Sequence, residues 1–274
     1  MTRGLAILLT VYNRKSCTLK CLQQISSQEL KGFDIAIDIY IVDGGSNDGT
    51  VEAVRNLFPD VHIKVKDGVY WNRGMYAAWE WASSVREYDF YLWLNDDTFI
   101  YPFCISSLLE ESLRYKDKAI IVGATVNTEI SSKQTYGGRM ANGLFPTLGI
   151  TSEIHHFNGN IVLIPIAVFN KLGNLDPYFQ HSKGDFDYGM RALAVGIKMY
   201  QAAQALGECD IHPSLDQWCN PEFPFPERWK AMNQPNGMPP NETFYLERKH
   251  IGLISASFHW LTIHIRCMFP SLWK

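Results

Sequence analysis

The chain has no excess of charge of either sign. Its 25 Lys and Arg stand against 28 Asp and Glu, a formal net charge of -3 with a pI of about 6.2. Without a general basic surface there is no drive toward nucleic acid. Long apolar runs are missing too. The longest stretches free of Asp, Glu, Lys and Arg are 154–170 and 250–265, short of the ~20 apolar residues that a membrane-spanning helix needs. The first apolar segment, Leu5 to Val11, runs straight into Asn13-Arg14-Lys15, which is not the pattern of a signal peptide. The six cysteines form no CxxC pair. Cys17 and Cys21 stand four apart on an expected helix, but no second pair completes a zinc site, so reduced, partly buried thiols are expected. Together these absences lead to the expectation of a cytoplasmic protein, at most peripheral on the inner face of a membrane.

What is present is a globular chain. At 274 residues and 46% apolar it can bury a large core without disulfides or a structural metal, as one large domain or two small ones. The first half alternates strand and helix patterns. Strands are expected at Leu5 to Tyr12, Ile35 to Val42, Val61 to Val65, Phe90 to Leu94 and Ala119 to Val126. Helices are expected at about 16–28, from about Thr50, at Gly74 to Arg86 and at 101–116. This alternation predicts an α/β fold: a mostly parallel, Rossmann-like sheet with helices on both faces. Farther on, Asn158 to Pro165 and Lys198 to Ala202 read as strands and Gly184 to Val195 as a helix. Residues 212–245 hold seven of the thirteen prolines without periodicity, the pattern of a long loop or lid. A helix is expected from about Glu247 to Met268.

Polar clusters follow Val11, Val42 and Leu94. In open α/β sheets ligands bind beyond the carboxyl ends of the strands, so these clusters should converge. Asn95-Asp96-Asp97 ends a buried-looking strand, where carboxylates are costly unless paired or bound to a cation. Oxygen ligands of that kind suit Mg²⁺ or Mn²⁺; the alternative is that Asp97 or Thr98 caps the next helix. Asp43-Gly44-Gly45-Ser46-Asn47-Asp48-Gly49 is either a plain turn or a ligand-facing carboxylate in a turn, with Ser46 or Asn47 able to cap the helix from Thr50. As a calcium loop it fails, because Asp48 and Val54 stand where Gly and Glu are required. Asp185 and Asp187 open a helix, which suits the helix dipole, and one of them could also serve as a general base.

In this order the segments resemble family 2 glycosyltransferases. The likeness covers about 5–205 and rests on Thr10-Val11-Tyr12-Asn13-Arg14, on Asp43 to Thr50, on Asn72-Arg73-Gly74, on Asn95-Asp96-Asp97 and on Gly184-Asp185-Phe186-Asp187. The resemblance implies a GT-A fold with a nucleotide-sugar half at about 1–100 and an acceptor half at about 101–210. A Pro- and aromatic-rich loop or lid at 211–246 and a C-terminal amphipathic helix at 247–274 would follow. It implies that Thr10, Tyr12, Arg14, Asp43 and Gly44 line the nucleotide pocket. Asn72 and Gly74 would border the nucleotide or sugar, with Arg73 near a phosphate. Asp97 would be the main ligand of Mn²⁺ or Mg²⁺, with Asn95 in the same motif, Asp96 beside ribose or metal, and His212 placed to add a ligand. Asp185 would be the catalytic base, with Asp187 the fallback.

Two positions depart from the family pattern. Asn95 replaces the first acid of Asp-x-Asp, a spelling shared with rhamnosyltransferase-like members, and Gly184 replaces a common Glu. The implied activity is inverting transfer of a hexosyl or deoxyhexosyl group from a nucleoside-diphosphate donor, of UDP or dTDP type. The acceptor would be a hydroxyl of a glycan or lipid-linked molecule, in surface polysaccharide synthesis. A sugar nucleotidyltransferase would want a Gly-rich loop after the first strand, which Thr10 to Lys15 lacks. A non-catalytic carbohydrate-binding or scaffold protein is the rival that Asn95 and Gly184 leave open. The aromatics Trp218, Phe223, Phe225, Trp229 and Phe244 could stack on sugar rings or simply pin the long segment to the core. The apolar stripes within 251–268 suit core packing, a homodimer contact or a membrane surface.

Overall fold

A computed structural model describes residues 2–30, 32–129, 133–211 and 215–273. In chain order the elements begin with β1 (Arg3–Val11), α1 (Lys15–Ser26), β2 (Ile35–Asp43), α2 (Thr50–Leu57), β3 (His62–Val65), α3 (Trp71–Val85) and β4 (Phe90–Leu94). Next are β5 (Phe99–Ile100), α4 (Cys104–Arg114), β6 (Ile120–Val126), β7 (Gln134–Tyr136), β8 (Gly138–Arg139), β9 (Ser152–Glu153), β10 (His156–Phe157) and β11 (Ile161–Pro165). The remainder is α5 (Ile166–Leu172), α6 (Gly184–Ala194), β12 (Met199–Glu208), α7 (Phe225–Met232), α8 (Pro240–His250) and α9 (Leu253–Met268), with short 3₁₀ turns at Gln217–Cys219 and Pro270–Trp273.

The main sheet runs β3-β2-β1-β4-β11-β6-β12-β5. The first four strands are mutually parallel, β11 is antiparallel to both its neighbours, and β12 returns parallel to β6. All five residues of β4 are buried. Its Phe90, Leu92 and Leu94 belong to one core layer with Ile105 and Leu108 of α4, and its Tyr91 and Trp93 belong to the opposite layer with Trp79 of α3 and Tyr188 of α6. That two-sided burial is why the strand reads as an unbroken apolar run. The parallel arrangement brings the ends of β1, β2 and β4 to one edge, as the alternation of elements led us to expect.

The C-terminal region departs from the expected pattern. Residues 215–245 contain two helices, and four of the prolines that suggested a loop, Pro224, Pro226, Pro239 and Pro240, stand at their starts. Pro240 opens α8, and Pro224 and Pro226 flank the first residue of α7. A helix's first turn has no use for the missing N–H. The helix expected from Glu247 to Met268 is two helices, because Gly252 between them has φ 141°. Neither Ser46 nor Asn47 caps α2: Gly49 is at the N-cap position without a side-chain cap, and Asp48 just before it accepts from the Thr50 amide at 3.1 Å. Asp97 and Thr98 do not cap α4, which starts after Phe103.

The helix α8 is fastened to α6 through a buried charge cluster. Asp187, fully buried, accepts from Arg191 Nε at 2.8 Å and faces Lys249 Nζ at 2.7 Å and His250 Nε2 at 2.8 Å. Lys249 also reaches Asp176 at 2.9 Å, and Tyr245 donates to the same carboxylate at 3.0 Å. Removing the fully buried Asp187 leaves Arg191, Lys249 and His250, all only partly exposed, without the carboxylate they share. Asp187→Ala should therefore lower unfolding free energy by about 3–5 kcal/mol in urea titrations. Breaking the half-exposed Arg86–Asp38 pair should cost about 1 kcal/mol or less. Equal losses from both would contradict the clamp.

Candidate active site

A cavity of about 840 Å³ opens where the ends of β1, β2 and β4 meet the start of α6, in the range of small-ligand pockets. Thr10, Tyr12, Arg14, Gly44, Asn95, Asp96, Asp97 and Asp185 all line it, so three of the five sequence motifs contribute wall residues together with Gly44 of a fourth.

The acidic tip of β4 is held by neighbours from the first strand and helix. Asp96 is nearly inaccessible, and its Oδ2 accepts from Thr18 Oγ1 at 2.9 Å while Oδ1 accepts from Arg14 at 3.2 Å. Arg14 also pairs with Oδ2 of Asp97, so one guanidinium serves both carboxylates. Burial pushes the Asp96 carboxyl up to about 6, against the opposing pull of Arg14. The other oxygen of Asp97, Oδ1, is buried with no hydrogen-bond partner among the described residues. The amide oxygen of Asn95 accepts from the Trp71 indole at 2.7 Å.

On the α6 side, Asp185 closes the cavity. Its Oδ2 accepts from the Gly159 amide at 3.0 Å and its Oδ1 from the Phe186 amide at 2.9 Å. Burial nevertheless dominates and raises its carboxyl to about 6. Lys183, also buried and in the left-handed conformation at φ 75°, lines the same wall, and burial lowers its pKa. A carboxylate with a raised pKa next to a cavity is the usual profile of a proton acceptor.

Several expected site residues lie elsewhere. Asn72 is fully buried, donating to the carbonyls of Asp176 and Phe179 at 2.8 Å each. It therefore fixes the loop before α6 and does not line the cavity. Arg73 donates to the Pro177 carbonyl at 3.1 Å and stands outside the cavity wall. Gly74 sits beneath Thr10, where a Cβ would fall 2.3 Å from Thr10 Cγ2, and so lets α3 approach β1. Asp43 is buried below the cavity floor, where its Oδ1 accepts from the Gly45 and Ser46 amides at 2.9 and 2.7 Å. Its Oδ2 has no partner among the described residues. Asp187 belongs to the buried clamp, which removes it from the reacting side. His212 lies outside the described residues, among which no group of three or more His, Cys, Asp and Glu is placed to hold a metal.

Sequence reasoning missed Asp67, Trp71, Asn158 to Asn160, Lys183 and Asn236 of the wall. Lys183 could have been found from its place beside Gly184. The Asn158-Gly159-Asn160 turn could not, because it reaches the site only through the antiparallel pairing of β11 with β4. The aromatics of 213–245 are absent from the wall, and Trp218 instead packs with Met232 and Cys267 against α9.

The model for glycosyl transferase family 2 matches residues 6–185, more than half of the chain. The chain belongs to glycosyltransferase family 2. No curated protein matches it in sequence. Among solved structures, S. aureus TarS residues 1–349 in complex with UDP is similar with a TM-score of 0.54 at 14% identity, covering 77% of this chain and 61% of that one. GalNAc-T7 with UDP, GalNAc and Mn²⁺ is similar at 0.55 and 13%, covering 73% and 42%. The chain thus spans less than two thirds of each of these chains' lengths, 61% and 42%. At such identities the likeness concerns the fold, and it agrees with the GT-A arrangement expected from the motifs.

The departure at Gly184 has a steric cause. A Cβ there would lie 1.7 Å from Asn72 Oδ1, so the Asn72 clasp requires a glycine at 184. Gly184→Ala should cost about 1–3 kcal/mol of stability. In an Asn72→Ala background the added methyl should cost much less, a coupling measurable by a denaturation cycle. Strict additivity would contradict the clasp.

Proposed function

We propose that this protein is an inverting, metal-assisted glycosyltransferase that moves a hexosyl or deoxyhexosyl group from a nucleoside-diphosphate donor to an acceptor hydroxyl. One observation carries the reading: a buried carboxylate oxygen without a partner, on Asp97, and a carboxylate of raised pKa, on Asp185, line one cavity at the strand ends. UDP and dTDP sugars are the donors we favour, and a glycan or lipid-linked hydroxyl is the acceptor class.

The donor set fits a hard divalent cation such as Mn²⁺ or Mg²⁺. Such ions often take one or two protein carboxylates and complete their shell with substrate phosphates and water. Asp97 Oδ1 is the free carboxylate oxygen here, while both Asp96 oxygens and the Asn95 amide oxygen already have donors. When bound, the ion would supply Lewis-acid stabilisation of charge on the departing diphosphate. Arg14 neutralises the same carboxylates, and Lys183 adds a buried amine to the wall. Thr10, Tyr12 and Gly44 shape the nucleotide end.

At the acceptor end, Asp185 takes the proton of the attacking hydroxyl as oxygen bonds to the anomeric carbon and the diphosphate leaves from the opposite face. A single displacement inverts the centre; retention would need a second nucleophilic carboxylate, a role for which Asp187 is too deeply paired. The base must be deprotonated, so log kcat/KM should rise about one unit per pH unit below about 6 and level off above it. Asp185→Asn should lower kcat by about 10²- to 10⁴-fold and abolish that limb while leaving nucleotide binding intact. Retained turnover, or an unchanged acid limb in the variant, would rule out Asp185 as the base.

A further inference from the structure

The helix α9 carries an apolar face that nothing in the described structure covers. Ile254, Phe258 and Leu261 are 88%, 61% and 52% exposed, and Met268 continues the same stripe at helical spacing. Ile251 and Leu253 extend it across the α8–α9 turn, each more than 60% exposed. The opposite face of the helix is the one that anchors it. Ala256 and Cys267 are fully buried, and Ile263 packs beside Trp218 and Met232. Arg228 fastens the helix end by donating to the Cys267 carbonyl at 2.8 Å. The exposed stripe is therefore held outward by a packed inner face. A continuous apolar surface of this kind is uncommon on a protein with no partner.

Charge narrows the choice of occupant. From Arg248 to Lys274 the sequence contains four Lys and Arg and no Asp or Glu; Lys249 is already paired with Asp176 and Asp187, which leaves Arg248, Arg266 and Lys274 uncompensated by acids of this stretch. The last acidic residue before this stretch, Glu247, is covered, its carboxylate meeting His259 Nδ1 at 2.7 Å and Ser255 Oγ at 3.2 Å. Arg248 is exposed beside the turn, and Arg266 flanks the stripe while lying over the Trp218 ring at 5.4 Å. A second copy of this face would bring like charges together. An anionic lipid surface answers both the apolar stripe and the basic flank. No described helix is long and apolar enough to cross a membrane, so the helix would lie in the interface plane.

We propose that α9 and the α8–α9 turn dock this protein on anionic membranes, with Ile254, Phe258 and Leu261 entering the acyl boundary. The inference is independent of the catalytic reading, since none of these residues lines the cavity. Its test is flotation of the full chain with vesicles of phosphatidylcholine alone or with anionic phosphatidylglycerol, together with light scattering for oligomeric state. Association is expected with the anionic vesicles and should weaken as salt is raised. An Ile254→Asp/Phe258→Asp double variant should lower the partition coefficient by about tenfold or more, with its melting temperature and transferase turnover on a soluble acceptor unchanged. Three results would overturn the proposal: no association with anionic vesicles, equal binding by the double variant, or a stable dimer that the double variant dissolves.

Discussion

Two adjacent carboxylates at the end of a fully buried strand need a cation, and much of the site is arranged around that requirement. The β4 strand is fixed by packing on both faces, so Asp96 and Asp97 cannot retreat to solvent without disturbing both core layers. The neighbouring parallel strand β1 ends where Arg14 can bridge them, and the first helix offers Thr18 to Asp96. Charge compensation thus ties the first strand–helix unit to the fourth strand. It leaves one buried oxygen of Asp97 without a partner among the described residues, on a side chain that lines the cavity.

The wall bearing Asp185 is positioned by a second set of charges. Asp187, two residues along α6, is gripped by Lys249 and His250 of α8, and the loop before α6 is tied by Asp176 to the same lysine. Gln180 in that loop donates to Glu242 at 3.3 Å. These contacts come from residues beyond the 6–185 span that the family model matches. The C-terminal helices are therefore part of what positions α6 and Asp185, while the apolar outer face of α9 is uncovered among the described residues.

The sheet and its polar tips were legible because each signal is local. Buried strands such as Tyr91 to Leu94 are apolar runs, and turn chemistry after them marks where the chain leaves the core. The C-terminal half was harder for physical reasons. Prolines at helix starts look like loop prolines until the helix is seen, and a single glycine at a left-handed φ splits what periodicity alone joins. Within the site, Asp97, Asp185 and Arg14 stood in readable motifs. Asn72 and Arg73 did too, but their side chains turn toward the 176–180 backbone, a long-range contact that spacing cannot disclose. Trp71 and the Asn158 to Asn160 turn required knowledge of which strands pair.

The central claim is that this cavity binds a nucleoside diphosphate together with a divalent cation held by Asp97. The most direct measurement is a thermal-shift panel of UDP, dTDP, GDP and CMP, each with and without Mn²⁺, on the wild type and Asp97→Ala. A ligand at 100 times its dissociation constant should add about 2.7 kcal/mol to stability. The account predicts stabilisation by a diphosphate that depends on Mn²⁺ and disappears in Asp97→Ala. No shift with any nucleotide, or a shift of equal size in the variant, would contradict it.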